Sequence, residues 1–134
     1  MDLIKQKGEK VGVVKDILHK FKYSFQGIGY CYAHESSFIF ETIAIVAAII
    51  MGFIFNIEPH YWVFSLISLL LIMEIEFLNT AIEAAVDLVT SKFNPFAKIA
   101  KDCGSAATFM ATLVAVIVHV YIYGYVYIWP LIVK

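Results

Sequence analysis

Residues 61–87 read YWVFSLISLLLIMEIEFLNTAIEAAVD, an apolar run that continues without a break into a row of acidic side chains. The apolar part, from Tyr61 to Met73, carries no charge and only two serines. About 20 residues suffice for a helix to cross a hydrocarbon core of ~30 Å. The stretch therefore predicts a membrane-spanning helix over residues 61–90, with carboxylates in its second half.

The polar side chains of this helix share one face. At ~100° per residue, positions 76, 79, 80, 83 and 87 lie on the same side, and Glu76 and Glu83 stand about 10.5 Å apart along the axis. Burying a carboxylate in hydrocarbon is costly unless it is paired, protonated or bound to a metal. We therefore interpret this column as a metal and proton site. The alternative, acids that merely emerge among the headgroups as the helix ends, is strongest for Asp87.

The composition is that of a small integral membrane protein. The chain has 134 residues, enough for one domain, and 61% of them are hydrophobic. The net charge of −1 argues against a nucleic-acid partner. All ten basic residues are Lys, so phosphate groups would meet point charges rather than bidentate guanidinium groups. Cys31 and Cys103 are too few for an extracellular disulfide framework, and the polar N-terminus MDLIKQKGEK is not expected to be a cleaved signal peptide.

Hydrophobic periodicity predicts helices along the whole chain. Apolar residues at helical spacing, with lysines between them, predict an amphipathic surface helix over about residues 11–33. The apolar stretch 38–57 predicts a first span, and a third span is expected over about residues 105–130. Asn94 followed by Pro95 predicts an N-cap and a first helical position. The expected fold is an all-α membrane protein with one surface helix and three spans.

The distribution of lysines predicts the orientation in the membrane. Six lysines precede the first span and three lie between the second and third spans, whereas the turn between the first two spans has none. Because lysines favour the cytoplasmic side, the N-terminus and the second connection are expected in the cytoplasm and the C-terminus outside. The aromatic tail HVYIYGYVYIWP, residues 119–130, suits the headgroup region of the far interface.

The acidic face and the lysines together predict phosphoryl transfer at a membrane surface. Carboxylates are hard oxygen ligands that suit Mg²⁺, which usually takes its other ligands from phosphates and water. Lys98 and Lys101 follow the acidic stretch and would neutralise phosphate charge, while a free carboxylate accepts a hydroxyl proton. Glu35 and Glu41, near the start of the first span, could come near the depth of Glu83. The chain has neither a P-loop nor a kinase glycine-rich loop.

The segment EFLNTAIEAAVD, residues 76–87, followed by AKIAKDCGSAA, residues 97–107, closely resembles the signature of the prokaryotic diacylglycerol kinase family. The likeness covers roughly residues 14–120. It implies a lipid kinase with three transmembrane helices and an amphipathic surface helix, working as a homotrimer whose active sites are shared between neighbours. It also implies ATP as the phosphate donor, Mg²⁺ as the cofactor and the cytoplasmic face of the bacterial inner membrane as the location.

The resemblance implies roles for individual residues as well. Glu76 matches the catalytic base that takes the proton from the lipid hydroxyl, and Asn79 matches a residue that orients the base and the lipid. Glu35 and Glu83 match carboxylates that hold the metal ion on the nucleotide. The remaining matches are nucleotide contacts at Tyr23, Asp87, Lys101 and Asp102, and lipid contacts at Ser24 and Ser105.

The acceptor lipid divides this family into two branches. The ESSFIFE stretch, residues 35–41, and the GSAA that follows AKDC resemble the branch that phosphorylates diacylglycerol, which we favour. The NTAIE and VDLV segments, with a proline before AKIAKD, resemble the branch that phosphorylates undecaprenol.

Without the family resemblance, the residues are compatible with two other classes of function. One is a small oligomeric proton or cation pathway, and the other is a non-catalytic membrane subunit. A conduction path needs polar residues along its whole span, whereas the acids here gather in one half. Glu74, about 160° around the helix from Glu76, has no part in the kinase scheme.

Overall fold

The computed structural model describes residues 13–133, and all the regular secondary structure in that range is helical, as predicted. The predicted helix start at residue 11 and the stretch MDLIKQKGEK lie outside the described residues. In chain order the helical elements are α1 (Val13–His34), α2 (Ser37–Ile54), α3 (Pro59–Val89), α4 (Pro95–His119), a π-helical segment (Val120–Ile128) and the short helix α5 (Trp129–Ile132).

The chain divides into two compact units, residues 1–34, which contain α1, and residues 35–134, which contain the other helices. We call the second the three-helix unit. Within α1, Lys20 is ion-paired with Asp16 at 3.0 Å, and the Ser24 hydroxyl donates to the Lys20 carbonyl at 3.0 Å. The predicted N-terminal helix is therefore present, while its place on a membrane surface stays a prediction.

Within the described residues, three helices are long and apolar enough to cross a membrane, which confirms the predicted number. They are Ser37–Ile54, Pro59–Val89 and Pro95–Ile132. The third begins well before the predicted start at residue 105, because the Asn94 side chain accepts hydrogen bonds from the backbone N–H groups of the first helical turn. This N-cap, which the sequence did predict, starts the helix in the polar connection rather than at its apolar part.

Helix α3 is central to the three-helix unit, because it packs against both α2 and α4. The buried cluster between them contains Ala48 from α2, Leu69 and Ile72 from α3, and Ala111 and Ala115 from α4. The alanines let both neighbouring helices approach α3 closely. This close packing fixes which residues of the three helices lie at the same depth.

A hydrogen-bonded histidine joins α3 and α4 in the apolar part of the unit. His119 Nδ1 lies 2.8 Å from the Ala115 carbonyl oxygen, which can only accept, so Nδ1 carries the hydrogen. Nε2 lies 2.9 Å from the hydroxyl of the buried Ser65 and forms a hydrogen bond with it. The Ser68 hydroxyl donates to the Ser65 carbonyl at 2.9 Å, so both serines of the apolar run have partners.

The aromatic tail, predicted to face the membrane interface, points in two directions. Tyr123 is buried and its hydroxyl donates to the Ala48 carbonyl at 3.0 Å, while the Tyr127 hydroxyl accepts from the backbone N–H of Glu58 at 3.0 Å. The other two tyrosines of the π-helical segment are exposed. The inward pair ties the end of the third span to the α2–α3 hairpin, a long-range contact that composition alone does not reveal.

Candidate active site

Glu76 is the buried acid of α3, with 8% of its surface exposed. Its Oε1 accepts a hydrogen bond of 2.6 Å from the hydroxyl of Ser37, the first residue of α2. Its Oε2 is also buried and has no partner among the described residues. The carboxylate is therefore held at one oxygen and open to a donor at the other.

Asn79 and Glu83 stand one turn apart on the same side of α3. Asn79 Nδ2 donates to Glu83 Oε1 across 3.4 Å, a long hydrogen bond. Asn79 Oδ1 is buried and finds no partner within residues 13–133. The pair leaves acceptor oxygens available to an incoming donor or cation.

Gly104 lets α4 approach the Asn79 side chain. The glycine is buried, and a Cβ built on it would collide with Asn79 Oδ1 and lie 3.9 Å from the Asn79 Cα. Only a hydrogen atom at this position leaves room for the amide. The sequence does not predict the contact between Gly104 and Asn79, beyond showing that residue 104 is small. The sequence of one helix does not determine its register against a second helix.

The last turns of α3 and the first turns of α4, which we call the α3–α4 end, carry two ion pairs. Lys101 Nζ lies 2.6 Å from Asp87 Oδ1 and joins the two helices, while Lys98 pairs with Asp102 within α4. Asp87 lies ~16 Å beyond Glu76 along the axis of α3, given the rise of an α-helix. The structure thus bears out the expectation that lysines meet the acidic column at this end.

Three further acids of the three-helix unit occupy different positions. Glu35 precedes α2 and is half-buried. Glu41 lies on α2 one turn after Ser37, is half-buried, and its Oε2 is buried without a partner in the described part of the chain. Glu74 is exposed on another side of α3, as its angular position predicts.

Of the residues predicted for the site, the structure brings Glu76, Asn79 and Glu83 together on one face of α3 and adds Ser37, which the sequence did not indicate. Ser105 is exposed on α4, next to Gly104. The contacts expected of Glu35, Ser105 and the two α1 residues Tyr23 and Ser24 stay predictions.

The oxygen atoms of this face suit a hard cation that is shared with phosphate groups. Glu83 Oε1 has one long hydrogen bond, and the neighbouring Asn79 Oδ1 has none from the described residues. Within that same range, no three His, Cys, Asp or Glu side chains are grouped so that they could hold a metal ion by themselves. Mg²⁺ commonly uses only one or two protein carboxylates and completes its shell with phosphate and water oxygens. The residues therefore fit Mg²⁺ carried by a nucleotide.

Sequence comparison agrees with this geometry. The family profile described as prokaryotic diacylglycerol kinase matches residues 22–123, a range that includes α2, α3 and α4. The chain belongs to the prokaryotic diacylglycerol kinase family. Prokaryotic diacylglycerol kinases are lipid kinases, a class of phosphotransferase. The resemblance carried by the EFLNTAIEAAVD segment is thereby confirmed.

Relatives within the diacylglycerol kinase family carry two different names. A diacylglycerol kinase of Synechocystis is 36% identical over 102 residues, which cover 75% of this chain and 58% of that protein. A diacylglycerol kinase of Escherichia coli K12 is 36% identical over 92 residues, 69% of this chain and 75% of the relative. An undecaprenol kinase of Bacillus subtilis 168 is 33% identical over 94 residues, 70% of this chain and 76% of the relative. The match thus spans little more than half of the Synechocystis protein.

Proposed function

We propose that the chain is an ATP- and Mg²⁺-dependent diacylglycerol kinase, which converts diacylglycerol to phosphatidic acid. The observation that carries the proposal is Glu76, buried in the second half of an apolar span, held at Oε1 by Ser37 and unpartnered at Oε2 among the described residues. A carboxylate in this setting is suited to take the proton of a lipid alcohol, because the alcohol reaches it through the bilayer and little water competes.

The proposed reaction is an in-line transfer of the γ-phosphoryl group. The alcohol oxygen of diacylglycerol bonds to the γ-phosphorus of ATP, the bond from that phosphorus to the β–γ bridging oxygen breaks, and ADP leaves with the bridging oxygen. Glu76 takes the hydroxyl proton as the new bond forms. Ser37 keeps the carboxylate in place through its 2.6 Å hydrogen bond, and Asn79, one turn along α3, orients the alcohol.

The nucleotide is expected at the α3–α4 end of the site. Glu35 and Glu83 would hold Mg²⁺, which neutralises phosphate charge when it is bound. The two ion pairs of this end contain lysine ammonium groups, which can bind phosphate, and aspartate oxygens, which can accept hydrogen bonds from the nucleotide. We propose that the nucleotide also contacts Tyr23, Asp87, Lys101 and Asp102. We propose that the lipid contacts Ser24 and Ser105.

We expect Lys101→Met to raise the KM for ATP ~10-fold, because a hydrogen bond to a charged group contributes about 1.5–3 kcal/mol. Initial rates against ATP concentration at fixed lipid measure this change. Lys20→Met is the matched control, since it also removes a lysine from an ion pair, at 3.0 Å from Asp16. If Lys101→Met left the KM for ATP at the wild-type value, the proposed contact would be wrong.

We expect Gly104→Ala to lower kcat ~10-fold without lowering the melting temperature. The added methyl group displaces the Asn79 amide that orients the alcohol, whereas alanine favours the helix over glycine by about 1 kcal/mol. Steady-state rates and a thermal melt in the same detergent measure the two effects. Gly124→Ala serves as control, because a Cβ there meets its nearest atom at 3.8 Å. Full activity of Gly104→Ala would contradict the role given to Asn79.

We also propose a homotrimer with active sites shared between neighbouring chains and with the α3–α4 end on the cytoplasmic side of the bacterial inner membrane. Large apolar side chains are exposed on all three spans, among them Phe53, Leu78 and Phe109, and neighbouring copies or lipid would cover them. The lysines of the second connection favour the cytoplasmic side. Mass measurement of the active detergent complex tests the assembly, and an active monomer would contradict it.

Undecaprenol is the second candidate acceptor, because one of the relatives is named an undecaprenol kinase and is nearly as similar as the diacylglycerol kinases. A proton or cation pathway has less support. Ser65 and Ser68, the polar residues of the apolar run, bond within the protein. The buried, unpartnered side-chain oxygens of the described residues belong to Glu76 and Asn79, in the second half of α3, and to Glu41, near the start of α2.

The deciding experiment uses the purified protein in mixed micelles with ATP and MgCl₂. Diacylglycerol and undecaprenol are supplied at equal mole fractions, and the phosphorylated lipids are separated and counted. We expect phosphatidic acid to form and its formation to stop when EDTA is added. If only undecaprenol is phosphorylated, undecaprenol is the acceptor and the proposed diacylglycerol is wrong. Ion flux in liposomes without any phosphorylated lipid would overturn the kinase assignment.

A further inference from the structure

Glu41 is a second carboxyl group of the three-helix unit with a buried oxygen, and the proposed reaction does not use it. It lies on α2 one turn after Ser37, the residue whose hydroxyl holds Glu76 Oε1 at 2.6 Å. Glu41 Oε2 and Glu76 Oε2 are both buried, and neither has a partner among the described residues. A buried acceptor without a donor is costly, so this pair of orphaned oxygens needs a physical account.

The helix geometry directs these two side chains toward each other. α2 and α3 form an antiparallel hairpin, and the Ser37–Glu76 hydrogen bond fixes their register. Side chains lean toward the N-terminus of their own helix, so Glu41 leans toward Ser37 and Glu76 leans toward the turn of α2 that carries Glu41.

No lysine is ion-paired with Glu41 or Glu76 within the described residues. Lys98 and Lys101 are engaged with Asp102 and Asp87 at the α3–α4 end. His119 of α4 is bonded to Ser65 in the other half of the bundle. Two adjacent carboxylates without a counter-ion in apolar surroundings do not both ionise, so the pair retains a proton.

We propose that Glu41 is the positioning residue that keeps this proton and donates it as a hydrogen bond to Glu76 Oε2. The inference rests on the proposed kinase reaction. Glu76 is then the ionised member, with donors on both oxygens and lone pairs left for the lipid hydroxyl. During turnover the hydroxyl proton goes to Glu76, the pair holds two protons, and one of them passes to water after ADP leaves.

The kinetic test compares Glu41→Gln, which keeps a donor but cannot ionise, with Glu41→Leu, which has no donor. We expect Glu41→Gln to retain kcat within ~3-fold and to keep the acid limb of the kcat–pH profile. Glu41→Leu should lower kcat at least ~10-fold and move that limb to higher pH, because the ionised Glu76 loses its donor. Glu74→Gln, the same change at an exposed acid of α3, should reproduce the wild-type profile.

Two results would overturn the inference. One is a kcat–pH profile of Glu41→Leu whose acid limb lies at the same pH as in the wild type. This result is expected if Glu41 has a purely structural role. The other is a loss in Glu41→Gln as large as that in Glu41→Leu. If Glu41→Leu does not fold, the comparison of wild type with Glu41→Gln by infrared spectroscopy still decides.

The infrared measurement does not depend on turnover. At neutral pH the wild-type spectrum minus that of Glu41→Gln should contain the carbonyl stretch of a protonated carboxyl group. Its absence would refute the shared proton even in an active kinase. A chain that phosphorylates no lipid but shows the band would instead refute the proposed function and leave the proton pair standing.

Discussion

Glu76→Gln should lower kcat at least ~100-fold, because a positioned general base contributes about 10²–10⁴ to the rate. The glutamine has nearly the volume of glutamate, and its carbonyl oxygen still accepts from the Ser37 hydroxyl. The substitution therefore removes basicity while the α2–α3 contact is kept. Rates at saturating ATP and diacylglycerol measure the loss, and the KM values for both substrates should change little.

Glu74→Gln is the matched control for this result, since it makes the same chemical change two residues earlier on an exposed side of α3. The control should phosphorylate lipid at the wild-type rate. Equal thermal melts of both variants would show that the lost activity is chemical. Wild-type turnover by Glu76→Gln would remove Glu76 from the role of base.

The helices and the polar face of α3 could be predicted from the sequence because both are local properties. Apolar length gives the spans, and 100° per residue gives the face that carries Glu76, Asn79 and Glu83. The N-cap at Asn94 is local as well, and the structure confirms its bonds to the Phe96 and Ala97 backbone. The lysines at the α3–α4 end were also predicted, because they follow the acidic stretch closely in sequence.

The contacts that complete the site depend on how the helices are placed against each other. The Ser37–Glu76 hydrogen bond joins residues 39 positions apart, and the Gly104 contact with Asn79 joins α4 to α3. Tyr123 and Ala48 are 75 positions apart. Helical periodicity indicates which face of a helix is polar, but it does not indicate which residue of a second helix meets that face.

Polar groups along α3 change in character from one end to the other. Ser65 and Ser68, in the apolar half, have donors and acceptors within the protein. Further along, Glu76 and Asn79 keep oxygens without partners among the described residues. At the α3–α4 end, Asp87 is paired with Lys101. Unpaired buried acceptors cost stability, so their restriction to the middle of this series is expected where a substrate or a neighbouring carboxyl group supplies the missing donors.

Glu83→Gln should raise the Mg²⁺ concentration needed for half-maximal activity ~10-fold or more. The neutral amide keeps the size of the side chain and its contact with Asn79, but it replaces an anionic oxygen ligand by a weaker carbonyl oxygen. Activity against MgCl₂ at fixed ATP measures the shift, and calorimetric titration of the protein with MgATP should show weaker binding.

The effect of Glu83→Gln differs in kind from that of Glu76→Gln. If Glu83 holds the metal and Glu76 is the base, excess Mg²⁺ restores much of the rate of Glu83→Gln, because a weakened metal site can still be saturated. Excess Mg²⁺ restores none of the rate of Glu76→Gln, because it does not replace the lost base. Glu58→Gln, an exposed acid before α3 at the opposite end of that helix, should titrate like the wild type. An unchanged Mg²⁺ titration of Glu83→Gln would contradict the division of labour between the two carboxylates on this face.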